Sequence, residues 1–245
     1  MPEYQGVLFD LDHTLWDYHR NSRETLSDMY RDFGLAAKLN APFDDFHDVF
    51  QDINATLWNQ YDRGLIPRER IRKERFNTIL GHFGVIDQSL SLGLSDAYVQ
   101  DGPKKAHLID GALDILDYLH PKYPMFIVTN GFEEVQFTKV KSAGLEKYFR
   151  EIVISDRVGH KKPAREIFDY VSASHGIPHS GLIMIGDNML TDIAGAVNAG
   201  IDSVLFNPAP VLKLDHLRSA SVPPGTEGVR STHEIGTLAE LRRIL

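Results

Sequence analysis

Gly6-Val7-Leu8-Phe9-Asp10-Leu11-Asp12-His13-Thr14-Leu15 is the stretch from which the fold is read. Its first residues are apolar without the gaps of an amphipathic helix. A run this short and continuous reads as a strand buried on both faces, as in a parallel sheet. Two carboxylates follow at its carboxyl end. In extended chain, residues i and i+2 point the same way, so Asp10 and Asp12 converge on one site. Like charges held close are costly unless a cation or a proton neutralises them. Taken alone, the pair also fits a turn or a helix cap.

Four more runs of the same kind lie downstream: Met125-Phe126-Ile127-Val128, Ile152-Val153-Ile154, Leu182-Ile183-Met184-Ile185 and Ser203-Val204-Leu205-Phe206. Helix-length segments separate them, at Gly111 to His120, Glu133 to Ala143, Ala164 to His175 and Thr191 to Ala199. Strands alternating with helices predict an α/β fold, a parallel sheet with helices on both faces. Residues 17–102 differ. Apolar positions recur there at three- and four-residue spacing (Leu26, Met29, Tyr30, Phe33; Phe46, Val49, Phe50, Ile53; Ile71, Arg75, Phe76, Ile79), and strands are absent. The expected organisation is a sheet domain, 1–16 with 103–245, carrying a helical insert. Ala209 to Thr232 is rich in Pro, Ser and Gly and reads as a long surface loop. Thr237 and Glu240 have capping-box spacing ahead of a last helix.

Each further strand end carries polar chemistry. Thr129-Asn130-Gly131 offers a hydroxyl and an amide. Lys161-Lys162-Pro163 puts ammonium groups beside the start of a helix, a combination suited to an anion. Gly186-Asp187-Asn188 adds a carboxylate, and Asp192 follows. Any one of these fits a turn or a solvated surface. Together they bring carboxylates, a hydroxyl and an ammonium group to one sheet edge, where open α/β sheets bind ligands. The carboxylates suit Mg²⁺, and the Lys and Thr suit a phosphoryl group.

Composition narrows the classes. The 245 residues include 26 Lys and Arg against 34 Asp and Glu, a net charge of −8, and no Cys. That balance argues against a nucleic acid polymer as partner. Disulfides, thiolate metal sites and cysteine nucleophiles are excluded. A basic signal-peptide start and an apolar run of membrane-spanning length are missing, so a cytoplasmic protein without a membrane partner is expected.

These segments resemble the haloacid dehalogenase superfamily. Residues 9–15 look like its first motif, Thr129-Asn130 like the second, Lys162-Pro163 like the third with Lys161 competing, and Gly186-Asp187 with Asp192 like the fourth. The resemblance implies a Rossmann-like core and, from the place of the insert, a helical C1-type cap over 17–102 that closes over the site. It implies Asp10 as nucleophile, forming an aspartyl-phosphate, and Asp12 as general acid and base with its pKa raised. Mg²⁺ would be held by Asp10, Asp187 and the backbone carbonyl of Asp12, with Asp192 behind them. Thr129, Asn130 and Lys162 would hold the phosphoryl group. An acid at Asp12 marks the phosphatase members and is lacking in the dehalogenases. Residues 57–64, 71–76 and 128–132, with Gln136 and Gly144-Leu145, resemble the pyrimidine 5′-nucleotidase branch, which commonly has Asp where this chain has His13.

The expected activity is hydrolysis of a small phosphorylated metabolite, a nucleoside 5′-monophosphate first, by a monomer or small homo-oligomer. A phosphatase or phosphomutase for a sugar phosphate is the alternative. A phospho-acceptor signalling module and a dehalogenase are the more distant ones. Trp16, Tyr18, Trp58 and Tyr61 are candidates to stack on a leaving base, or else to pack their own helices. Arg63, Arg68, Arg70, Arg72, Lys73 and Arg75 read most simply as an ion-paired helix face.

Overall fold

The computed structural model describes residues 3–208 and 228–245, so most of the segment read as a long loop lies outside the described residues. The chain divides into two compact units, Met1–Tyr18 with Ala106–Leu245, and His19–Lys105.

In the first unit, among the described residues, six strands form one parallel sheet: β1 (Gly6–Phe9), β2 (Met125–Thr129), β3 (Glu151–Ile154), β4 (Leu182–Gly186), β5 (Asp202–Phe206) and β6 (His233–Ile235). Their order is β3-β2-β1-β4-β5-β6. The chain moves to one side of β1 for β2 and β3, then returns to the other side for β4. A crevice therefore opens between the carboxyl ends of β1 and β4, the position where such sheets bind ligands. The register sets what lines it. Phe9 pairs with both Ile127 and Ile185, and the Asp10 amide donates to the Ile185 carbonyl at 2.9 Å. Asp10 is thus the first residue beyond the ladder.

Both faces of the sheet are covered, which explains why its strands are continuously apolar. Val7, Phe9, Ile127, Ile183 and Ile185 face one core, shared with α6 (Ala112–Leu119). Leu8, Phe126, Val128 and Met184 face the other, packed by α8 (Glu166–His175) and α9 (Ala194–Ala199). Alternate residues of β1, β2 and β4 divide between the two cores, as the pleat requires. β6 has no counterpart in the sequence reading. It is a three-residue edge strand with only Ile235 buried, too short to show a pattern. The final helix is a 3₁₀ helix, Leu238–Arg243, with the Thr237–Glu240 capping box formed.

The second unit is wholly helical. After α1 (Tyr18–Asp32), which begins at the boundary, come α2 (Leu35–Leu39), α3 (Phe43–Asp62), α4 (Arg68–His82) and α5 (Gln88–Asp101). Its core gathers Leu26, Met29, Phe46, Phe50, Phe76, Ile79 and Leu94. Arg70 and Arg72 pair with Glu74 and Asp96 at the surface, as expected of an ion-paired face. Such pairs contribute about 0.2–1 kcal/mol each. Arg75 departs from that face. It is buried, its guanidinium lies 4.3 Å from the Tyr98 ring centroid, and it donates to Asn54 Oδ1 at 3.0 Å. It follows the helical spacing of Ile71 and Ile79 and not its charge. Among the described residues no helix is long and apolar enough to cross a membrane.

Candidate active site

Asp10 and Asp12 leave β1 as the chain turns back on itself. The Leu15 and Trp16 amides both donate to the Leu11 carbonyl, and His13 adopts a positive φ of 65°. Asp10 is buried. Lys162, after β3, reaches it across the crevice, its Nζ donating to Asp10 Oδ1 and to Asp192 Oδ1 at 2.6 Å each. The Lys162 side chain is 2% exposed, so three charges share a site nearly closed to water. Burial acts to lower the Lys162 pKa, and the two carboxylates more than reverse it, holding the ammonium above the usual lysine range. Burial lifts Asp10 to about 7; Lys162 opposes the rise and Asp192 adds to it. Lys161 is only half-buried, so of the two competing lysines it is Lys162 that lies on Asp10.

Backbone geometry holds each partner. The Asn130 side chain clamps the Lys162 peptide reciprocally, its Nδ2 donating to the Lys162 carbonyl and its Oδ1 accepting from the Lys162 amide, both at 2.9 Å. The Asn130 amide side chain is thereby committed to positioning the lysine. Asp192 sits in a π turn, Met189–Ile193, capped by Asn188, whose Oδ1 accepts from the Leu190 and Thr191 amides. Such wide turns are frequent at functional sites. Asp192 Oδ2 accepts from the Asn188 amide at 3.0 Å, leaving Oδ1 for Lys162. Gly186 makes room for it, since a Cβ there would lie 2.3 Å from Asp192 Oδ2. Asp187, half-buried, accepts from Thr14 Oγ1 at 3.4 Å.

Asp10, Asp187 and Asp192 each offer a carboxylate oxygen, all within 4.8 Å of one another. Three hard oxygens, two of them from carboxylates paired with Lys162, form a donor set that fits a small dication such as Mg²⁺. The sequence reading gives the metal the Asp12 backbone carbonyl and keeps the Asp12 carboxylate for proton transfer, and that carboxylate lies outside this group. It accepts from Lys139 Nζ at 2.6 Å and from Gln136 Nε2 at 2.9 Å. Burial acts to raise its pKa, and Lys139 with Gln136 reverses this, leaving it below the usual carboxylate value. The raised pKa expected at Asp12 falls on Asp10 instead, because a second ammonium answers Asp12.

Gln136 and Lys139, on α7 (Glu133–Ser142), carry no site role in the sequence reading. The i, i+3 spacing puts them on one helix face. That signal was masked, because this polar pair is buried while Phe137 between them is 38% exposed. Gln136 Nε2 also donates to Thr129 Oγ1 at 3.1 Å, and Gly131 gives it passage.

The four aromatic candidates separate. Trp16 is buried in the sheet unit beneath Lys139, whose Nζ lies 4.4 Å from a Trp16 ring centroid. Tyr18 is half-buried, 4.7 Å from the His13 ring. Trp58 and Tyr61 meet edge to face at 5.6 Å on α3, with Tyr61 in the buried part of the helical unit.

Known proteins resemble this chain along nearly its whole length. YfnB of Bacillus subtilis strain 168, whose name places it among HAD-hydrolases, is 29% identical over 253 residues, covering 100% of this chain and 97% of its own. The crystal structure of YfnB bound to magnesium superposes with a TM-score of 0.83 at 28% identity, covering 99% of both chains. The pyrimidine 5′-nucleotidase YjjG of Escherichia coli K12 is 29% identical over 99% of this chain and 98% of its own. The ribulose-1,5-bisphosphate 5-phosphatase of Halopiger xanaduensis is 30% identical over 96% and 97%. The family of haloacid dehalogenase-like hydrolases matches residues 7–206, and this chain belongs to it.

Proposed function

We propose that this protein is a Mg²⁺-dependent phosphomonoester hydrolase that works through an aspartyl-phosphate on Asp10. The observation that carries the reading is the buried Lys162 ammonium, held at 2.6 Å from both Asp10 and Asp192 at the mouth of the β1/β4 crevice. A carboxylate so placed is suited to nucleophilic attack beside a cation that tolerates a charged phosphoryl group. Asp10, Asp187 and Asp192 would hold Mg²⁺, which when bound supplies neutralisation of the phosphoryl oxygens. The magnesium of the related YfnB structure supports that choice of ion.

In the first half-reaction an Asp10 oxygen bonds to phosphorus and the ester P–O bond breaks. Asp12, ionised in the resting site by Lys139 and Gln136, takes up a proton as the anionic phosphoryl group enters beside it and gives that proton to the departing alkoxide. In the second, water attacks the acyl phosphate, Asp12 takes its proton, and Asp10 and inorganic phosphate are released. Lys162, the Thr129 hydroxyl and the Asn130 backbone amide hold the phosphoryl oxygens.

The preferred substrate is a pyrimidine nucleoside 5′-monophosphate, a reading supported by the similarity to YjjG along nearly the whole chain. A phosphorylated sugar is the second reading, favoured by the 30% identity to the Halopiger phosphatase. Phosphate release with Mg²⁺ across dUMP, UMP, dTMP, pentose phosphates and small organic phosphates separates them. The highest kcat/KM on the pyrimidine nucleotides is expected. A maximum on a sugar phosphate selects the second reading, and no release from any phosphomonoester overturns both.

A further inference from the structure

Four carboxylates and two buried ammonium groups meet at one sheet edge, and they are not shared out at random. Lys162 takes Asp10 and Asp192. Lys139 takes Asp12 alone, at 2.6 Å, with its own side chain 8% exposed. Its Nζ is backed by Trp16, 4.4 Å from a ring centroid, a contact that favours a cation stripped of water. Gln136 completes the hold. Its Nε2 donates to Asp12 Oδ2 and to Thr129 Oγ1, so one amide ties the acid to the Thr129 hydroxyl at the end of β2. A Cβ at Gly131 would lie 1.6 Å from that nitrogen, so the crossing depends on glycine there.

A helix that buries Gln136 and Lys139 while exposing Phe137 breaks the apolar-inside rule. Burying a lysine is costly unless the charge is paired, and such local violations collect at functional sites. Structure alone would be served as well by apolar residues on this face of α7.

We infer that Lys139 and Gln136 are positioning residues for the reaction. They turn the Asp12 carboxylate away from the Asp10–Asp187–Asp192 group and hold it for proton transfer to the leaving oxygen. This rests on the phosphomonoesterase reading above. Both act through Asp12, so their effect on kcat/KM, which reports the first half-reaction, scales with the need of the leaving group for a proton. An alkoxide needs one, whereas p-nitrophenolate leaves without it.

The test compares kcat and KM of wild type, Lys139→Met, Lys139→Arg and Gln136→Met, with Mg²⁺, on p-nitrophenyl phosphate and on an alkyl phosphomonoester. Lys139→Met is expected to lose kcat/KM on the alkyl ester by on the order of 10²-fold, the lower end of a general acid–base contribution. The loss of kcat/KM on p-nitrophenyl phosphate is expected to be about tenfold smaller, while kcat, which includes hydrolysis of the common aspartyl-phosphate, falls on both. Lys139→Arg should recover much of the difference, and Gln136→Met should show the same selectivity at lower amplitude. Gln136→Met carries the comparison if Lys139→Met does not fold, as judged by circular dichroism. Equal losses of kcat/KM on the two esters, or no loss, overturn the inference while leaving the hydrolase reading in place. Wild type inactive on both esters overturns the hydrolase reading itself.

Discussion

Asp10 is held by a lysine that is itself held twice over, by Asp192 on its ammonium and by Asn130 on its backbone. Breaking a buried ion pair by removing one partner costs about 3–5 kcal/mol, because the remaining charge is stranded. Asp10→Asn avoids most of this, since Lys162 keeps Asp192 and the amide keeps the shape. The variant should therefore fold, with a melting temperature close to wild type, and should lose turnover by at least on the order of 10³-fold. Phosphate release within tenfold of wild type would remove Asp10 as nucleophile. At this scale the sequence told much. The i, i+2 spacing of Asp10 and Asp12 indicated a shared site, and Lys162 was one of two candidates for the cation. It did not show which ammonium meets which carboxylate. Lys139 stands 127 positions from Asp12, and only the packing of α7 on the sheet brings them together.

The elements impose limits of their own. β4 must end in a residue without a side chain, because Asp192 folds back over Gly186 from the π turn. In Gly186→Ala the new methyl would lie 2.4 Å from Asp192 Cγ, and the carboxylate must leave Lys162. A misplacement of about 1 Å can cost 10²-fold in rate, and a loss of that order in kcat is expected, together with a lower melting temperature. Unchanged kinetics would show that Asp192 is dispensable. The C-terminal 3₁₀ helix gives a milder case. Glu240 Oε1 accepts from the Thr237 amide at 2.8 Å and from Gly236 at 3.1 Å. Thr237→Ala should cost about 1 kcal/mol in urea unfolding without changing turnover. An unchanged midpoint would mean that Leu238 and Leu241, both fully buried, dock this segment unaided. The capping box was legible as a spacing. β6 was not, because an edge strand of three residues carries no periodicity.

Over the whole molecule, the parallel order places the ends of four strands along one edge and concentrates negative charge there. Asp10, Asp187 and Asp192 outnumber the single ammonium among them, so a dication should bind the folded chain in preference to the unfolded one. Saturation at 100 times Kd corresponds to about 2.7 kcal/mol of added stability. Mg²⁺ should raise the melting temperature of wild type in a calorimetric titration, a chelator should reverse the rise, and Asp187→Asn should blunt it. A melting temperature indifferent to Mg²⁺ would remove the metal from the site.

Local pattern determined the strands, the helical insert and the acids and amides at the strand ends. These follow from short-range rules: period-two extension, three- to four-residue helical spacing and continuous apolar runs where a sheet is covered on both faces. Tertiary structure alone decided the pairing of charges, the exclusion of the Asp12 carboxylate from the three-acid group, and the burial of Arg75, Gln136 and Lys139. Those outcomes depend on desolvation and on partners far away in sequence, and a buried lysine reads the same as a solvated one until its carboxylate is in place.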